Sequence, residues 1–107
     1  MLRSCLMTIM LMFSASVLAA EHWVDVRIAE QYQAEHIKGA INVPLRQLKE
    51  QITSQINNKD DTLHLYCNSG RQSAMAKQIL QEMGYTQVLD EGGISGIDLP
   101  KESQHGS

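Results

Sequence analysis

The sequence predicts a small three-layer α/β domain, with a mostly parallel central sheet and helices on both faces. Three observations predict it. Short apolar runs at 22–26, 63–66 and 85–89 alternate with helix-compatible stretches, the pattern of strands joined by crossover helices. Ala76, Ile79, Leu80 and Met83 recur at helical spacing and form one apolar stripe. The chain has 107 residues and neither an internal repeat nor a long linker, so it has room for one cooperative domain.

The elements follow in order. His22-Trp23-Val24-Asp25-Val26 is a β-like run, and the polar residues 29–35 suit a helix. Residues 36–44 read as a turn, a brief extended piece and a helix entrance marked by Pro44. Leu45, Leu48 and Ile52 give the next helix its apolar face as far as Ile56, and residues 57–61 make a turn. Leu63-His64-Leu65-Tyr66 is a strand that delivers the chain to Cys67. A helix is expected from about Ser73, with Gly84 as its C-terminal cap. Residues 85–89 form another strand, 90–93 a loop, and a short turn or helix runs through Ile97. Residues 101–107 hold too little apolar content to require packing and are expected to be a flexible tail.

The first 19 residues read differently. Arg3 precedes an uncharged stretch that ends in Ser16-Val17-Leu18-Ala19-Ala20, the make-up of a secretory signal peptide cleaved after Ala19 or Ala20. It is short for a membrane span, and no second apolar stretch follows, so no membrane association is expected after cleavage. Cleavage after Ala19 leaves residues 20–107, with 20–100 forming the single domain and the periplasm the expected compartment. The formal net charge of −3 becomes −4 because Arg3 is lost. An acidic chain without a Lys/Arg cluster is a poor match for nucleic acid.

Cleavage also removes Cys5 and leaves Cys67 without an internal disulfide partner, which is unusual for an exported protein. A buried apolar thiol is the plain reading. The neighbours argue for more. Cys67 stands where a strand ends and the loop Asn68-Ser69-Gly70-Arg71-Gln72 turns into a helix beginning near Ser73. Backbone N–H groups of such a loop converge on one concavity, and the helix start favours an anion. The same surroundings lower a thiol's pKa, Gly70 permits the tight path, and Arg71 adds positive charge. This cradle suits sulfur transfer from an anionic donor such as thiosulfate. The thiolate would take the outer sulfur, release sulfite, and give the sulfur up to cyanide or a small thiol, with no metal or organic cofactor required.

Asp25-Val26-Arg27, Glu30-Gln31-Tyr32, the segment from His36 through Pro44, the loop from Cys67 through Gln72, and Gly84-Tyr85 followed by Gly92-Gly93 together resemble the rhodanese family. The motifs stand in the family's order across nearly the whole mature chain. The resemblance implies a rhodanese-like fold and thiosulfate sulfurtransferase activity, with Cys67 as persulfide carrier and the residues through Gln72 as its binding loop. It implies that Asp25 and Arg27 support the site rather than perform chemistry. Many relatives carry arginine at the position of Gln72, where this chain has Arg71 one residue earlier. Most have an aromatic residue at the position of Ile94.

A cysteine phosphatase would need arginine at the position of Ser73 and an Asp general acid tied to the loop; neither is evident. A phosphate-binding Gly-x4-Gly-Lys-Ser/Thr motif and a Cys-x-x-Cys redox pair are absent. A binding or sulfur-carrier module with little turnover remains the reading of a different class. His22, His36, His64 and His105 lack a compact ligand spacing, and no metal site is expected. Trp23 and Tyr66 suit the core or a pocket wall, and Met75 and Met83 suit helix packing. A monomer is expected, since no association helix is evident.

Overall fold

The computed structural model describes residues 19–104. Nearly all of the expected leader and His105 lie outside the described residues. The element order is β1 (Glu21–Asp25), α1 (Ala29–Ala34), β2 (His36–Ile37), β3 (Ile41–Asn42), α2 (Leu48–Gln55), β4 (Thr62–Cys67), α3 (Arg71–Glu82), β5 (Gln87–Gly93) and β6 (Lys101–Glu102). Short 3-10 turns at Leu45–Gln47 and Ile94–Gly96 complete it.

The central sheet runs β3-β1-β4-β5 with every pairing parallel, and β2 pairs antiparallel with β6 in a second, two-stranded sheet. Parallel neighbours need crossovers, which α1, α2 and α3 supply. Alternation along β4 then divides the core. Leu63, Leu65 and Cys67 join Val24, Leu48, Ile52, Ala76 and Leu80 on one face, while Tyr66 joins Ile37, Ala40, Ile94 and Ile97 on the other. The fold is therefore the expected three-layer α/β arrangement.

Leu48 and Ile52 are buried and Leu45 packs against them, as the helical spacing predicts. The α3 stripe holds too, with Ala76 and Leu80 buried and Ile79 and Met83 packed on the same core. Gly84 has φ +99°, the left-handed conformation that closes a helix.

Four expectations are corrected. Helix α3 begins at Arg71 rather than near Ser73, because Gly70 at φ +92° turns the chain directly into it. Residues 90–93 are the end of β5 rather than a loop, held to β4 by the pairing of Leu65 with Asp90 and of Cys67 with Gly93. Met75 points into solvent, half exposed, instead of packing. The tail is paired as far as the described residues go: Lys101 and Glu102 lie against Ile37 and His36, and the Gln104 N–H donates to the Gln33 carbonyl. Backbone pairing fixes these residues without the apolar side chains whose scarcity suggested flexibility.

Candidate active site

Strand β4 carries Cys67 to the C-terminal edge of the central sheet, where parallel α/β folds place their sites. The residue is buried, its side chain faces the α2–α3 core, and its thiol is free. The next six residues wrap around the sulfur. The Gly70 N–H donates to Sγ at 3.0 Å and the Ser73 N–H at 3.3 Å. Burial alone pushes the thiol's pKa up, but hydrogen bonds from Ser73, Gly70 and Ser69 outweigh it and hold Cys67 below the ordinary thiol range. Twelve-residue α3 starts at the same point and adds its favourable N-terminal potential.

Two glycines allow this wrap. Gly70 adopts a left-handed φ that side chains rarely tolerate. Gly93 lies so close to the loop that a Cβ there would stand 2.3 Å from the Asn68 carbonyl oxygen. Between Leu65 and Cys67 the pairing with β5 shifts register, with one residue of β4 opposite two of β5, and Gly92 at φ +84° absorbs the extra residue. This bulge brings the glycine pair against the loop.

A cavity of about 350 Å³ opens over the sulfur, lined by Ile28, Gln31, Cys67, Asn68, Ser69, Arg71 and Gln72. Arg71 and Gln72 both line it, so the one-residue offset of the arginine does not remove that residue from the cavity. A larger, mainly apolar groove next to it shares Ile28 and Gln72. Ile28 belongs to no motif, and Gln31 stands in the Glu30-Gln31-Tyr32 motif, which does not mark it as a site residue; the structure places both at the cavity.

Asp25 and Arg27 sit beneath the loop. Arg27 donates from Nε and Nη2 to the Asp25 carboxylate, from Nη1 to Asn68 Oδ1 at 3.1 Å, and from Nη2 to the Glu35 carbonyl. The buried guanidinium also stands over the Tyr66 ring, 5.7 Å from its centroid. Burial lowers the Arg27 pKa, while the hydrogen bond and charge of Asp25 raise it, and the balance is upward. The pair thus ties β1 to the cysteine loop without reaching the cavity itself.

One partner has no counterpart in the sequence motifs. Asp90 Oδ1 accepts the Ser73 hydroxyl at 2.6 Å and the Gly92 N–H at 3.0 Å. Acceptance from the residue two positions on is the habit of Asp in a turn, and Asp90-Glu91-Gly92 is the signal that could have shown it. An aspartate is therefore tied to the loop after all, through Ser73 and not through the cavity. The histidines are engaged elsewhere: His36 bonds to the Tyr32 carbonyl and Glu102, His64 to Glu21 and Glu91, and His22 to Asp61. Among the described residues no group of three His, Cys, Asp or Glu could hold a metal ion, and no helix is long and apolar enough to cross a membrane.

An activated cysteine, the only one among the described residues, cradled by its own loop at the end of a parallel strand, defines a domain built to carry an atom or group on sulfur. The chain belongs to the family of rhodanese-like domains, whose model matches residues 13–98. It is similar to thiosulfate sulfurtransferase PspE of Escherichia coli (strain K12), with 54% identity over 101 residues, 94% of this chain and 97% of that one. A solved rhodanese with anions from E. coli is 56% identical, with a TM-score of 0.76 over 78% of this chain and 99% of that one. Thiosulfate sulfurtransferase from Pseudomonas aeruginosa is 25% identical, with a TM-score of 0.71 over 79% of this chain but 17% of that one.

Proposed function

We propose that this protein is a thiosulfate sulfurtransferase that carries sulfur as a persulfide on Cys67. One observation carries the reading: a free thiol held below its ordinary pKa by loop N–H groups, facing a cavity that Arg71 also lines. The similarity to a thiosulfate sulfurtransferase along nearly its whole length supports it.

The Cys67 thiolate attacks the outer sulfur of thiosulfate. The S–S bond of the donor breaks, sulfite leaves with the electron pair, and a Cys67 persulfide anion remains. Cyanide or a small thiol, as thiolate, then takes the outer sulfur and returns Cys67 to thiolate. The loop 68–73 binds the donor, with Arg71 attracting the dianion and the N–H groups of Gly70 and Ser73 bearing the sulfur's charge. Asn68 links this loop to Arg27 and Asp25, which keep it in position. The 1–19 leader supports export to the periplasm, with residues 20–100 acting there as a monomeric domain.

The test is intact mass spectrometry of the reduced mature protein after thiosulfate, and again after cyanide. A gain of one sulfur on Cys67, lost to cyanide, is expected, and Cys67→Ser should gain none. A folded, reduced protein that takes up no sulfur would overturn the proposal and favour a binding module.

A further inference from the structure

Ser73 has one hydroxyl proton and three neighbours able to accept it. Asp90 Oδ1 is at 2.6 Å and the Gly70 carbonyl oxygen at 3.2 Å, while Cys67 Sγ at 3.5 Å donates to the hydroxyl as a thiol and accepts from it only as a thiolate. Only one of them can be the main acceptor. The contact to Asp90 has the length of a charge-assisted O–H···O⁻ bond, while the contact to sulfur is nearly 1 Å longer. A hydroxyl whose hydrogen points at Asp90 turns a lone pair toward the sulfur.

We infer that Asp90 is a positioning residue: it draws the Ser73 hydroxyl proton away from Cys67 Sγ, so that the loop N–H groups bear most of the thiolate's charge and the sulfur keeps the nucleophilicity that a fully committed hydroxyl donor would withdraw. The consequence for catalysis rests on the sulfur-transfer reading; the assignment of the proton does not. The charged groups around the sulfur are few. Arg71 approaches from the start of α3 and Arg27 from β1 through Asn68, whereas α1 contributes uncharged Ile28 and Gln31. From β5, Glu91 is engaged with His64, which leaves Asp90 to act on the loop.

A thiolate loses nucleophilicity as its pKa falls, with a Brønsted slope of about 0.4–0.5, but becomes a better leaving group. Freeing the Ser73 hydroxyl to donate to sulfur would therefore slow the first half-reaction, in which Cys67 attacks thiosulfate and sulfite departs. It would speed the second, in which cyanide takes the outer sulfur and the Cys67 thiolate is expelled. Opposite movement of the two halves is a signature that loss of fold cannot produce.

The experiment compares the mature wild-type protein with Asp90→Ala, Asp90→Asn, Ser73→Ala and the Ser73→Ala/Asp90→Ala double variant. Two readouts are needed: the pH profile of Cys67 alkylation by iodoacetamide, and single-turnover rates of sulfur loading from thiosulfate and unloading to cyanide. Asp90→Ala should move the alkylation midpoint down by about one pH unit, the scale of one hydrogen bond to a charged group. Loading per thiolate should slow about threefold and unloading should quicken by a similar factor. Asp90→Asn keeps an oxygen that accepts the hydroxyl and should stay closer to wild type. With Ser73 absent, Asp90→Ala should have little further effect. Equal shifts for Ala and Asn that persist without Ser73 would mean a charge acting through space and would overturn the inference, as would no shift at all. Midpoints that move as expected in a protein that loads no sulfur would sustain the inference while sinking the sulfur-transfer reading.

Discussion

Replacing Gly93 with alanine puts a methyl group where the cysteine loop already lies. The added Cβ would stand 2.3 Å from the Asn68 oxygen, 3.0 Å from its carbonyl carbon and 3.4 Å from Ser69 Cα. All three are backbone atoms, so no side chain can rotate away. Gly93 itself has φ −91°, which alanine adopts freely, and the cost is therefore the collision alone. Relief requires β5 and the loop to separate by about 1 Å, and overpacking of this kind costs about 1–3 kcal/mol. The same movement draws the Gly70 and Ser73 N–H groups off the sulfur they now approach at 3.0 and 3.3 Å. A displacement of about 1 Å in positioned groups can cost on the order of 100-fold in rate. Urea unfolding should show the stability loss, alkylation should show the Cys67 pKa rising toward the ordinary thiol value, and turnover with thiosulfate and cyanide should fall far more than the population of folded protein. Gly96→Ala is the control, since nothing lies within 4 Å of a Cβ there. A Gly93→Ala protein that unfolds and transfers sulfur like wild type would refute this account of the loop.

Three further outcomes are expected. Arg27→Met strands the fully buried Asp25 carboxylate and should cost about 3–5 kcal/mol in urea unfolding, with Asp25→Asn/Arg27→Met recovering much of it; a loss below about 1 kcal/mol would show the pair to be dispensable. Arg71→Ala removes a cation from a helix N-terminus, where it is unfavourable by about 0.3–1 kcal/mol, so stability should hold or rise while kcat/KM for thiosulfate falls about tenfold at low salt. Unchanged use of thiosulfate would count against a charge role. Burial lowers the His64 pKa, but Glu91 and Glu21 raise it further, so the folded value exceeds the unfolded one. Its stabilisation is then complete below about pH 6.5 and declines as pH rises through the folded value; Glu21→Gln/Glu91→Gln should flatten that part of the stability–pH curve.

The elements most legible in the sequence were those whose side chains repeat a local period. The α2 and α3 stripes and the Leu63–Leu65–Cys67 face of β4 reflect helix and strand geometry that each segment carries by itself. Boundaries were less legible. The start of α3 depends on Gly70 adopting φ +92°, and glycine permits that conformation without requiring it. Residues 90–93 carry loop-like composition yet extend β5, because the partner strand supplies the hydrogen bonds that their own propensities do not. The pairing of Lys101 and Glu102 was invisible for the same reason: their partners, Ile37 and His36, lie more than 60 residues earlier.

The site divides along the same line. The sequence by itself determined that Cys67 is the one cysteine after residue 20, its position between a strand and a glycine-bearing loop, and the Asp25–Arg27 and Gly92–Gly93 motifs, all of which are contiguous in the chain. Tertiary structure alone decided that Arg27 reaches Asn68, that Gly93 presses on the Asn68 carbonyl, and that Asp90 holds Ser73. These contacts join residues 17 to 41 positions apart or depend on an extra residue bulged out of β5. Local sequence can propose the chemistry of a group, but the direction of a hydroxyl proton is set by what the fold brings within hydrogen-bonding distance of it.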